Sequence, residues 1–144
     1  MLEKMRQLVK DKDTCVLATV SQGKPHCSLM AYVCDDAGSE IYMVTQRETL
    51  KYKNLLKNPS VSLLIDTRED HPGPQRANAK AMTVDGFFVK IEDEGKRKEV
   101  KARLLKRHPH LKVFLDDPDA ETFSIKIKSY LLLDGLTEAH FEEV

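Results

Sequence analysis

The sequence predicts a mainly β (α+β) fold, in which about six strands, most of them antiparallel, form a small barrel with flanking helices. Three observations lead to this prediction. Short β-rich runs recur along the chain, and several are closed by glycine-containing turns. Helical spacing of apolar residues is confined to short segments between those runs. The length of 144 residues suits one domain with a single sizeable core, which we expect to span residues 1–144.

The first half of the chain is predicted to contain two short helices and four strands. Apolar residues at helical spacing indicate a helix over residues 2–10. Thr49 can cap a second helix over residues 49–57, which Asn58-Pro59 ends. A turn signal at residues 21–24 joins the first two β-rich runs, so these runs predict a hairpin. The predicted strands of this half are residues 14–20, 25–34, 40–45 and 61–66.

A long polar loop opens the second half. Residues 67–78 contain Pro72, Gly73 and Pro74 and form the longest predicted loop. Because long loops in compact domains are often functional, this loop is a candidate functional segment whose role the sequence does not assign. A long strand is predicted over residues 79–92, with a bend at Gly86.

The rest of the chain is predicted to form a charged helix and one more strand. The helix covers residues 94–107 and ends before Pro109. Residues 110–119 are expected to be irregular or to form one helical turn. Alternation of apolar and polar residues over 123–133 predicts a half-buried strand, and the tail after Gly135 is expected to add a little more.

Composition excludes several classes of function. Twenty-three basic and 23 acidic residues cancel, so no net field favours nucleic acid or an anionic membrane. The charged N-terminus lacks a signal-peptide core, no run is long enough to span a membrane, and three cysteines without framework spacing suit reduced thiols. We therefore expect a cytoplasmic protein. Neither a metal site nor a nucleophile elbow, P-loop or dinucleotide fingerprint is predicted, and no side chain is assigned a catalytic role.

The junction between the third predicted strand and the second helix has the chemistry of a phosphate site. The first turn of a helix leaves N–H groups free, and the helix dipole favours an anion there. Thr45 and Thr49 can add hydroxyl donors, and Arg47 and Lys51 can add positive charge. On this pattern alone, an ordinary capped surface helix is the simpler interpretation.

The stretch from Val16 to Asp66 resembles the pyridoxamine 5′-phosphate oxidase-related FMN-binding split-barrel family. The resemblance begins with the hairpin VLATVSQGKPHCSLMAYV and the strand IYMVT. It continues with Thr45, then Thr49-x-Lys51, and then NLLKNPSVSLLID, and this spacing is its most specific part. The later segments AKAMTVDGFFVKI and FSIKIKSYLLLDG follow in the family's order.

The resemblance implies a six-stranded split barrel that forms a homodimer and binds FMN at the subunit interface. It further implies a flavin-dependent oxidoreductase that exchanges electrons with a small-molecule donor or acceptor, with the flavin doing the chemistry. Lys51 and Thr49 would hold the phosphate, and Val44 and Thr45 would line the ribityl region. The backbone of Ser28, Leu29 and Met30 would run along the flavin ring. The expected cofactor-binding residues are Ser28, Leu29, Met30, Val44, Thr45, Arg47, Thr49, Leu50 and Lys51.

The sequence also departs from the biosynthetic oxidases of the family. Leu50 stands where they have an arginine, and Ala81 stands where they have a glutamine. Oxidation of pyridoxamine phosphate itself is therefore not expected, and Arg47 or Lys53 is a candidate for the missing charge. Four alternatives stay open: a non-enzymatic flavin carrier or electron-transfer module, a haem-binding relative, a relative that binds the deazaflavin F420, and a dimer that has lost its cofactor.

Overall fold

The computed structural model describes residues 1–144 and consists of eight strands and four α-helices. The helices are α1 (Leu2–Asp11), α2 (Leu50–Lys57), α3 (Glu94–Arg107) and α4 (Lys112–Leu115). The strands are β1 (Thr14–Ser21), β2 (Lys24–Ala31), β3 (Val33–Cys34), β4 (Glu40–Gln46), β5 (Ser60–Asp66), β6 (Lys80–Lys90), β7 (Ala120–Asp134) and β8 (Glu138–Glu143). Short 3₁₀ turns lie at Arg68–Asp70, Gly73–Asn78 and Pro109–Leu111.

All strands join one antiparallel sheet that curls into a split barrel. The strand order is β2-β1-β5-β6-β7-β4-β3, and β8 pairs with β7. Strands β2 and β3 lie at opposite ends of this order, yet only Tyr32 separates them in the chain. The sheet must therefore curve until its two ends meet near Tyr32. Its inner face, with Met5 and Val9 of α1, forms the main hydrophobic core.

The six predicted strands and the hairpin of β1 and β2 are confirmed, but the predicted strand over 25–34 is interrupted at Tyr32. The Tyr32 N–H donates to the Asp13 carbonyl at 2.9 Å, and its hydroxyl donates to the Val9 carbonyl at 2.7 Å. The first bond continues the register of the hairpin by one residue, to Asp13 just before β1, and the second bond anchors the Tyr32 side chain to α1. The chain then continues as β3, which pairs with β4.

Gly86 bends β6 as predicted. The pairing of β6 with β7 shifts register between Asp85 and Gly86. A Cβ atom at position 86 would collide with the backbone carbonyl of Lys126. Glycine is therefore required at this bulge, where the two backbones approach most closely.

Helix α3 packs outside the barrel and covers the second face of β4. Val100 and Leu104 of α3 pack in a cluster with Tyr42 and Val44 of β4. Because Ile41, Met43 and Thr45 face the main core, β4 is buried on both sides. This explains why residues 41–44 form a continuous apolar run rather than an alternating pattern.

The outer face of the sheet carries a row of six side chains, five of them apolar, that nothing covers. Cross-strand register places them side by side over six strands, and most are substantially exposed, Leu29 at 78% and Phe141 at 60%. We call this the outer row, and it consists of Leu29, Val16, Leu64, Thr83, Leu131 and Phe141. The structure contains no helix long and apolar enough to cross a lipid bilayer.

Candidate cofactor site

The predicted junction of strand and helix forms at β4 and α2. The Thr49 hydroxyl caps α2 by accepting the Tyr52 N–H at 3.3 Å and donates to the Gln46 carbonyl at 2.8 Å. The same oxygen lies 3.3 Å from the hydroxyl of Thr45, which is buried at the end of β4. The cap thus fixes both hydroxyls at the start of the helix.

Lys51 points from the first turn of α2 toward β2. Its Nζ donates to Sδ of Met30 at 3.2 Å, and no carboxylate lies within ion-pair distance of it. Burial lowers the pKa of this ammonium, because a half-buried cation lacks the hydration that stabilises its charge. A thioether is only a weak acceptor, so no strong acceptor within the protein engages the Lys51 ammonium.

A cleft of about 200 Å³ opens where β2, β4 and α2 meet. Apart from Lys51, every side chain that lines it is apolar. The lining residues are Leu29, Met30, Ala31, Val44, Lys51, Leu111 and Phe114. The cleft therefore brings together four of the predicted residues from three separate elements, and it combines apolar walls with a single positive charge.

The other predicted residues lie around this cleft rather than in its lining. Arg47 is occupied by the turn before β7, where its Nη2 donates to the Pro118 carbonyl at 2.8 Å and lies 3.3 Å from Asp119. Leu50 is exposed, and Ser28 is half-buried on β2. Of the two candidates for the missing charge, Lys53 lies beside Glu48, at 3.7 Å.

A family model described as pyridoxamine 5′-phosphate oxidase matches residues 1–134 of this chain. The chain belongs to this family. No curated protein matches the sequence. The residues that match the pyridoxamine 5′-phosphate oxidase model include every element that forms the cleft.

Solved structures share this family fold at low identity. A haem-binding protein from Mycobacterium smegmatis is 18% identical with a TM-score of 0.85, and the match covers 98% of this chain and 57% of that one. HutZ, the haem storage protein from Vibrio cholerae, is 21% identical with a TM-score of 0.73 and 92% coverage of both chains. An FAD-binding protein from Mesorhizobium loti is 17% identical with a TM-score of 0.72, covering 90% of this chain and 91% of that one.

Two lining residues, Leu111 and Phe114, were not anticipated from the sequence. They lie in the segment between α3 and β7, at the 3₁₀ turn and in α4. Their spacing, with Leu115 next in the chain, is the apolar repeat of a helical turn. That signal was present, but a repeat only one turn long does not indicate which surface it meets.

The remaining nucleophilic and metal-ligating side chains form no site of their own. Burial raises the pKa of the Cys15 thiol to about 12, which keeps it protonated and unreactive. No group of three or more His, Cys, Asp or Glu side chains could hold a metal ion. His108 is buried and uses Nε2 to donate to the Tyr32 carbonyl at 2.9 Å. The cleft beside Lys51 is therefore the candidate site.

Proposed function

We propose that this chain, as one domain over residues 1–144, binds FMN at the Lys51 cleft and acts as a flavin-dependent oxidoreductase. The observation that carries the proposal is the ammonium of Lys51, half-buried and without an anionic partner at one side of an apolar cleft. A half-buried cation of this kind is stabilised by an anion. A ligand with an apolar ring and a phosphate would complement both the apolar walls of the cleft and the ammonium of Lys51.

The residues present suit the two ends of FMN. Lys51, with the free N–H groups of the first turn of α2, would hold the phosphate, and Thr49, whose hydroxyl is engaged by Gln46 and Tyr52, would keep that turn in place as its cap. Leu29, Met30 and Val44 would meet the flavin ring, with Ser28 and Thr45 beside them and Arg47 and Leu50 at the rim. FMN supplies hydride or electron transfer when bound. This chain would hold and orient it while excluding water.

A second copy of the chain would complete the site. The cleft is smaller than the roughly 300–1,000 Å³ of ordinary ligand pockets, so one subunit cannot enclose FMN. The outer row supplies a contiguous apolar surface, of the kind that marks interaction sites on soluble proteins. Leu29 belongs both to the row and to the cleft, so a subunit seated on the row would border the cofactor. We therefore propose a homodimer with shared FMN sites.

Haem is the second candidate ligand. Its apolar macrocycle and anionic propionates have the same mixture of chemistry as the cleft, and the Met30 thioether is a type of side chain that can ligate haem iron. Two of the structural neighbours are haem proteins, which supports keeping this alternative. A flavin carrier without turnover and a relative that binds F420 also remain alternatives.

A visible absorption spectrum of freshly purified protein, followed by titration with FMN, tests the proposal. We expect flavin bands, or saturable FMN binding at one per subunit. A Soret band would favour haem, and a deazaflavin band would favour F420. A colourless protein that ignores FMN would reject the proposed function. Turnover with reduced nicotinamide and small acceptors then separates an oxidoreductase from a carrier.

Lys51→Glu tests the position of the phosphate, with Lys53→Glu as the matched control. Lys53 lies on the same helix, but its side chain is exposed and lies outside the cleft lining. Reversing the charge at Lys51 should weaken FMN affinity about 100-fold, because a charge-assisted hydrogen bond is replaced by repulsion. Lys53→Glu should change it little. Equal FMN affinity in wild type and a folded Lys51→Glu protein would rule out this site.

A further inference from the structure

Leu111 and Phe114 lie in the cleft although they come from a part of the chain remote from the phosphate-binding pattern. Both are half-buried, and both line the same space as Met30 and Val44. Val113, between them in the chain, points away and is 85% exposed. The segment therefore presents one apolar face to the cleft and another to solvent.

This segment is held at both ends, so its face toward the cleft is fixed. At its start, the buried His108 donates Nε2–H to the Tyr32 carbonyl at 2.9 Å, at the point where the two ends of the sheet meet. At its far end, the Gln46 amide donates to Asp117 at 3.0 Å, and Arg47 donates to the Pro118 carbonyl at 2.8 Å.

Packing fixes the middle of the segment. Leu115 is buried in the cluster that joins α3 to β4. Leu111 and Phe114 are therefore positioned before any ligand arrives, and a preorganised surface costs less conformational entropy on binding.

From this arrangement we propose that Leu111 and Phe114 form the wall that recognises the ring system of the bound ligand, independently of its phosphate. The inference rests on the proposed function. Phe114 is the only aromatic side chain of the cleft, and aromatic faces pair favourably with flat ring systems. The ligand class is a flat aromatic ring with an anionic tail, in which Lys51 selects the tail and Phe114 the ring.

Titration of Phe114→Ala and Val113→Ala with FMN tests this assignment. Phe114→Ala should bind FMN about tenfold more weakly, and the visible bands of the bound flavin should shift because the ring loses its aromatic neighbour. Val113→Ala should match wild type in both measurements. Circular dichroism and thermal melting check that each variant is folded.

Phe114→Leu keeps the apolar bulk and guards against misfolding of the alanine variant. It should fold as wild type does, shift the flavin bands and weaken FMN binding to a smaller extent. Wild-type affinity and an unshifted spectrum in a folded Phe114 variant would overturn the inference. If FMN affinity depends on Lys51 but not on Phe114, only this inference fails. If wild-type protein binds no FMN, the proposed function fails with it.

Discussion

At the scale of single residues, Lys51 combines partial burial with the lack of an anionic partner. Arg47, Lys53 and Lys96 each have a carboxylate oxygen within 4.0 Å. Lys51 has only the Met30 thioether. A charge kept half-buried without compensation costs stability in the ligand-free protein, and binding of an anion would recover that cost.

The lowered pKa of Lys51 predicts how FMN affinity depends on pH. Burial lowers that pKa, so the ammonium loses its proton at a lower pH than an exposed lysine does. FMN affinity should rise as the phosphate becomes a dianion near pH about 6, and fall in alkaline solution before the usual lysine range is reached.

Lys51→Arg should remove the alkaline loss, because a guanidinium stays charged throughout that range. Dissociation constants measured across the pH range for wild type, Lys51→Arg and the control Lys53→Arg decide the point. If FMN affinity falls equally in alkaline solution for wild type and Lys51→Arg, a group other than Lys51 is responsible for the loss.

At the scale of elements, Glu40 attaches α3 to the sheet. Its Oε1 accepts from Lys96 of α3 at 2.9 Å and from the Ser124 hydroxyl of β7, and its Oε2 accepts from Tyr42 at 3.3 Å. Burial alone would raise the pKa of Glu40, but the hydrogen bonds from Ser124 and Lys96 outweigh it, and the net pKa is lowered. Glu40 therefore stabilises the fold only while it is ionised.

Glu40→Gln should lower the free energy of unfolding by about 2 kcal/mol at neutral pH, because it loses charge-assisted hydrogen bonds and leaves buried Ser124 poorly satisfied. A carboxyl whose folded pKa is depressed gives its stabilisation above its unfolded pKa of about 4.3 and loses it as pH falls through the folded pKa. The difference from wild type should thus shrink in acid. Urea unfolding at neutral pH and in acid measures this difference in stability. Glu92→Gln, at an exposed position, is the control. A difference that stays constant with pH would contradict this account.

At the scale of the whole molecule, the outer row is the largest feature that a lone subunit leaves unexplained. Its side chains extend across the sheet from β2 to β8, in a register fixed by the ladder. The polar positions Ser62, Asp85 and Ser129 border it on one side, and the apolar surface continues on the other side at Ala81 and Leu133. An apolar surface with a polar border resembles the core and rim of an interface.

Leu131→Lys should convert the proposed dimer into a monomer, because it places an ammonium in the middle of the outer row. Leu136→Lys is the matched control, since Leu136 is 84% exposed at the turn between β7 and β8 and lies outside the row. Size-exclusion chromatography with light scattering gives the mass, and FMN titration should show weaker binding in the monomer. A dimeric Leu131→Lys protein would place the interface elsewhere.

Local sequence signals predicted most elements of the fold, and long-range contacts explain the exceptions. Alternation, turn residues and the Thr49 cap predicted six strands, three helices and the bend at Gly86. Nothing local indicated that the second strand would break at Tyr32, because after this residue the chain changes its partner from β1 to β4. The pairing of β4 with β7 rather than with β5, the next strand in the chain, is likewise not indicated by periodicity.

The sequence located the candidate site in part. Spacing and family resemblance located Thr49 and Lys51, and the structure brings Lys51 together with Leu29, Met30 and Val44. The binding roles of all nine residues remain predictions. Leu111 and Phe114 were not predicted, because only the tertiary fold brings their segment next to the cleft.

The pairing of β4 with β7 also determines when the barrel can fold. Met43 lies opposite Phe123, so β4 cannot pair with β7 until the intervening helices and strands have been synthesised. Until β7 leaves the ribosome, β4 and β6 both present open edges that can pair with other chains. Closing such a long loop is slow, because its entropy is lost before the contacts are gained. A nascent or truncated chain that stops short of Ala120 is therefore prone to aggregate, and the segment from Ala120 onward protects the rest of the fold from this.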